Sequence, residues 1–115
     1  MKFPSTSDFL EEFGIEPVEL DPSLALCRYK KKSENSELEI DVSFSAVMKS
    51  FQIMLRLATQ ELVVISSENV KSIELVRDNA GAGLHVVFEI CDSISEARVT
   101  FEPEVSCRWW TLRNI

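Results

Sequence analysis

His85 is the only imidazole in the chain, so general acid–base chemistry near neutral pH would begin with it. It stands in Leu84-His85-Val86-Val87-Phe88-Glu89-Ile90, where Leu84, Val86, Phe88 and Ile90 fall on one side of an extended chain. His85, Val87 and Glu89 fall on the other. A catalytic base needs a nucleophile or a substrate group within hydrogen-bond reach, and nothing around His85 marks one. The chain holds no G-x-S-x-G, no H-E-x-x-H and no phosphate-cradling glycine loop. Gly81-Ala82-Gly83 follows Asp78-Asn79 and enters a strand, which makes it a hairpin turn rather than a dinucleotide fingerprint. Cys27, Cys91 and Cys107 are odd in number and far apart. They fit neither a disulfide framework nor a zinc site and read as small buried thiols. The chain is therefore read as no enzyme, with no cofactor and no metal.

Carboxylates are the abundant chemistry. Nineteen Asp and Glu against twelve Lys and Arg give a net charge of −7. Nucleic acid and anionic membranes need a cationic surface, so neither is expected as a partner, whereas a basic protein is compatible. Glu16, Glu19 and Asp21 gather in one proline-stiffened loop. Glu37, Glu39 and Asp41 alternate with Leu38, Ile40 and Val42, so they form a row on the outer face of a strand, about 7 Å apart. Such an open row suits solvent or a partner; a hard cation wants about six oxygens converging on one point. Lys30-Lys31-Lys32 is the one basic cluster, with no aromatic platform for bases, and its expected partners are the neighbouring acids. In Arg108-Trp109-Trp110 the two indoles must point to opposite faces of a strand. One enters the core; the other is covered by the chain itself or stands exposed beside Arg, the composition of an interface hot spot. Trp109 is the candidate anchor.

These side chains need a scaffold, and 115 residues provide one domain, residues 1–115. Its core needs no disulfide or metal. Pro4 to Asp8 leads into Phe9, Leu10 and Phe13, with Gly14 as a stop, which predicts a helix over 6–13 facing the core through those three residues. Ile15 to Pro22 reads as loop. Period two then takes over: 24–29, 37–44, 62–65, 70–76, 84–90, 97–101 and 107–112 read as strands. Leu62-Val63-Val64-Ile65 looks buried. Residues 47–58 fit strand or helix; strand is favoured because its neighbours are strands and connections are short. Connections this short exclude parallel crossovers. The fold class is α+β, mainly β: an antiparallel meander of roughly six to eight strands forming a curved sheet or half-barrel, with one short N-terminal helix. The N-terminal stretch lacks the apolar centre of a secretory leader, and no apolar run reaches a membrane span of about 20 residues; the chain is expected in the cytoplasm.

The acidic chain with strands such as GLHVVFEI and EARVTFEP, a CRWWTLR ending and no catalytic constellation resembles the immunity proteins of bacterial polymorphic-toxin systems, in particular contact-dependent growth inhibition. The resemblance implies a protein that binds one cognate toxin domain, often a basic nuclease, and occludes its active site or substrate surface. Glu16, Glu19, Asp21, Glu37, Glu39, Asp41 and Trp109 are then the candidate contacts, and no small-molecule substrate is expected. Two other classes stay open. One is a ligand-binding or enzymatic half-barrel, which would need a pocket with converging polar groups. The other is a structural subunit that associates through an edge strand, with Cys107 to Leu112 the first candidate.

Overall fold

A computed structural model describes residues 3–113; Met1 and Lys2, the start of the stretch read for a leader, lie outside them. Helix α1 spans Thr6–Phe13. Ser5 caps it: its Oγ accepts from the Asp8 N–H at 3.1 Å, and the Asp8 carboxylate accepts from the Ser5 N–H at 2.8 Å. This reciprocal box satisfies two of the free donors at a helix start. Gly14, at φ 65°, ends the helix in a left-handed turn and donates to the Leu10 carbonyl. Phe9 and Phe13, one turn apart, are buried. Leu10 points away and is 50% exposed, against the expectation that it faces the core; it lies about 100° around the helix from Phe9.

Nine strands follow among the described residues: β1 Glu19–Asp21, β2 Leu26–Lys32, β3 Leu38–Ser45, β4 Ser50–Leu57, β5 Gln60–Ser67, β6 Val70–Asp78, β7 Gly81–Ile90, β8 Ser93–Glu102 and β9 Ser106–Arg113. The antiparallel, mainly β α+β class is as read from the sequence. The meander divides into a five-stranded sheet, β1 to β5, and a four-stranded sheet, β6 to β9, each in chain order. The extra strand is β1, three residues inside the stretch read as loop. The ambiguous 47–58 segment supplies β4, whose Phe51 and Ile53 lie opposite Phe44 and Val42 of β3.

The sheets meet at a bend. Asn69 has φ 61°, a conformation that Asn tolerates better than most residues. Its carbonyl accepts from Glu89 of β7 at 3.1 Å, while the next N–H, that of Val70, donates to Lys49 beside β4 at 3.0 Å. One chain segment thus passes from the first sheet into the second, a corner of the kind that lets two sheets pack across each other.

Alternate residues of both sheets fill one apolar layer. Ile40, Val42, Phe44, Phe51 and Ile53 come from the first sheet; Leu84, Val86, Phe88, Ala97, Val99 and Phe101 come from the second. Phe51 meets Phe88 edge-on, with centroids 6.0 Å apart. Phe9 of α1 stacks on Tyr29 at 3.9 Å, and Phe13 meets Phe101 edge-on at 5.0 Å, which fastens the helix to both sheets. Gly83 has no room for a side chain, because a Cβ there would run into the Val99 carbonyl of β8. No helix among the described residues is long and apolar enough to cross a membrane.

Tyr29 is 1% exposed, and its hydroxyl has no hydrogen-bond partner among the described residues. An unpaired buried hydroxyl costs about 1–3 kcal/mol. Burial also pushes the phenol above its usual value of 10.0. A raised folded-state value gives stability that is complete below the unfolded value of about 10 and is lost as pH rises above it. Tyr29→Phe keeps the stack on Phe9. It should leave stability at pH 7 unchanged or raise it by about 1 kcal/mol, and should flatten the loss of stability above about pH 10. Urea melts of both proteins from pH 7 to 11 check this; a loss of about 2 kcal/mol at pH 7 would show that the hydroxyl is paired.

Candidate interaction surfaces

The outer face of the five-stranded sheet explains the row of acids. Asp41 of β3 is 6% exposed, not solvated as its outward position suggested. Arg28 of β2 lies over it and donates from Nε to Oδ1 at 2.9 Å and from Nη2 to Oδ2 at 2.6 Å. This two-pronged bond is the strong form of an arginine–carboxylate pair, and it raises the Arg28 pKa. Arg28 also reaches Glu19 of β1 at 3.4 Å. Three strands are thereby tied across their wet face, Glu19 to Arg28 to Asp41. Glu37 pairs with Lys32 at 3.0 Å, both exposed, as expected for the lysine run. Glu39 lies opposite both Lys32 and Arg56 in the strand register. The face carries mixed charge, and Glu19, Glu37 and Asp41 each pair with a cation on it.

The loop acids have other settings. Asp21 accepts from the Ser23 hydroxyl at 2.6 Å and from its N–H at 3.0 Å. That first bond, more than the second, holds its carboxyl below the usual carboxylate range. Glu16 is exposed between the helix and β1. Glu16, Glu19 and Glu37 therefore present carboxylates to solvent, while Asp21 and Asp41 serve mainly the turn and the sheet.

The second sheet has its own outer face. Trp109 is half-buried and stacked on Phe88, with centroids 4.6 Å apart. The indole that stands out on β9 is Trp110, 37% exposed, and the expectation of an exposed Trp109 moves to it. Strand parity decides this: Cys107 and Trp109 share a side that packs on the core, and Arg108 shares the other with Trp110. The Trp110 Nε1 donates to Glu96 Oε2 at 3.2 Å, and Glu96 Oε1 lies 2.7 Å from His85 Nε2. His85 is thus held in a carboxylate–indole group on the sheet surface. Nearby, Arg98 donates to Asp78 at 2.9 Å, which draws the Asp78 carboxyl below its usual value.

Two further expectations are corrected. Cys91 is exposed in the β7–β8 turn rather than buried; Cys27 and Cys107 are half-buried, and burial raises both thiol pKa values. Leu62, Val63 and Val64, read as a buried run, are 47%, 40% and 44% exposed, because β5 is the edge of its sheet. No group of three or more His, Cys, Asp or Glu among the described residues is arranged to hold a metal ion.

No protein-family model matches the sequence, and no curated protein matches it either. A chain of one solved structure superposes with a TM-score of 0.87 over 96% of this chain and 96% of its own length, at 23% sequence identity. That structure is a contact-dependent growth inhibition toxin–immunity protein complex from Klebsiella pneumoniae 342. The likeness is one of fold.

The two tryptophans should behave differently on truncation. Trp109→Ala is expected to cost about 2–4 kcal/mol by emptying space against Phe88. Trp110→Ala should cost less than about 1 kcal/mol. Chemical denaturation checks both; equal losses would contradict the assignment of faces.

Proposed function

We propose that this chain is an immunity protein that binds one cognate toxin domain and neutralises it by covering its active site or substrate surface. The observation that carries the reading is the fold match, which runs over 96% of both chains to a component of a toxin–immunity complex. The net charge of −7 favours the immunity side of such a pair, since a toxin that acts on nucleic acid needs a cationic surface. The partner is then basic, a nuclease being the natural case. The carboxylates of this chain stand where the toxin would take phosphates, and no catalytic step is required of the chain itself. It acts in the cytoplasm, where the toxin would meet its substrate.

Of the acids expected at the contact, Glu16, Glu19, Glu37 and Glu39 are open to a partner, and Trp110 beside Arg108 is an exposed aromatic that could anchor one. Asp21 and Asp41 contribute by holding the turn and Arg28 in place. Complementary charge mainly speeds encounter, while a few desolvated contacts set the lifetime of the complex.

A toxin domain is expected to be encoded beside the gene, and the purified chain should form a one-to-one complex with it. Association should slow about tenfold between 0.05 and 0.5 M salt. Glu37→Lys with Glu39→Lys should lower the association rate and its salt dependence together. Surface-bound kinetics at several salt concentrations measure both. No complex would refute the immunity reading, and a salt-independent rate would refute its electrostatic part.

A further inference from the structure

The two sheets present four edges, and three are guarded. β1 is three residues long and lies between Pro17 and Pro22. β6 carries Lys71, Glu74, Arg77 and Asp78. β9 carries Arg108. Short length, proline and charge are the usual means of keeping an edge from pairing with another chain. β5 has none of them in its centre. It runs eight residues, and Leu62-Val63-Val64-Ile65 carries no charge between Glu61 and Glu68.

The exposure of β5 also has a particular form. Val63 lies opposite Leu55, and Val64 lies opposite Met54, so successive β5 side chains stand on opposite faces of the sheet. Both faces are open there, with Val63 at 40% and Val64 at 44% exposure. Leu57 of β4 extends the patch at 45%. A helix laid on the sheet would cover one face only. A strand added to the edge covers both, and it also takes up the backbone N–H and C=O groups that β4 leaves free.

Charge selects the occupant. Glu61 stands directly before the apolar run within β5, Glu68 follows Ser66 and Ser67 just past the strand's end, and β5 itself holds no basic residue. Neither is ion-paired among the described residues, and the guanidinium of Arg56, the register neighbour of Glu61, turns to the Met54 sulfur at 3.1 Å. A second copy placed antiparallel would bring acids together at both ends, between chains that each carry −7. A strand with an apolar centre and Lys or Arg at each end would satisfy every group.

We propose that β5 is an open sheet edge that takes a strand of the toxin, apolar at its centre and basic at both ends, as a sixth strand of the first sheet. This rests on the immunity reading and assigns the contact within it.

Hydrogen exchange of the full chain, alone and mixed with the toxin domain encoded beside its gene, tests the proposal. Alternate amides of Glu61 to Ser67 should exchange at least about tenfold more slowly in the complex. Val64→Lys places a charge in the apolar centre. It should weaken the complex by about 30-fold or more and move the melting temperature by no more than about 3 °C. Glu61→Lys with Glu68→Lys should weaken it as well. A complex whose β5 amides exchange as in the free chain would overturn this proposal and leave the immunity reading standing. Dimerisation of the free chain that Val64→Lys abolishes would overturn the choice of occupant. No complex with the toxin domain would overturn both readings together.

Discussion

The chain turns out of one sheet and into the other at Glu68-Asn69, and the placing of every surface depends on that bend. The left-handed backbone at Asn69 lets a single segment serve β4 on one side and β7 on the other. It brings Phe51 and Phe88 into contact and closes the apolar layer between the sheets. The same bend takes the chain away from β5 before any strand can pair with its outer side. β6 gains β7 as a neighbour, and β5 keeps β4 alone. The dry core and the open edge are two results of one turn.

Once alternate residues share the core, the remaining alternates must face water, and charge is distributed under that constraint. On the first sheet it becomes a tie across three strands, from Glu19 through Arg28 to Asp41. A pair so far covered is costly to break, because the remaining charge keeps its desolvation without its partner. Among the described residues, Glu16, Glu61 and Glu68 make no ion pair with a cation of the fold and lie at the margins of the first sheet. A partner that carries positive charge meets the chain there first.

Much of this was legible in the sequence, for local reasons. The Pro4-to-Asp8 run and Gly14 act within about one helix turn of themselves, so the helix bounds could be read directly, while the choice of Ser5 as the cap came with the structure. The alternation of Leu84, Val86, Phe88 and Ile90 is a property of one strand and gave that strand its inner face. Several of the misreadings concern facts that lie between strands. Asp41 looked solvated because its cover, Arg28, is thirteen residues away. Leu62 to Ile65 looked like core because an apolar run carries no mark of whether a strand will lie on both of its sides. The choice between Trp109 and Trp110 was closer to hand: Arg108 is two residues from Trp110 and marks the wet side of β9. His85 was placed correctly on an outer face, but its link to Glu96 required the pairing of β7 with β8.

On the proposed reading, the chain protects a cell by binding its cognate toxin. Growth of cells that express the toxin domain encoded beside the gene, with and without this chain, tests it most directly. Cells that carry the chain should grow as if no toxin were made, while toxins from unrelated systems should remain lethal. Growth arrest despite full expression of the folded chain would contradict the account.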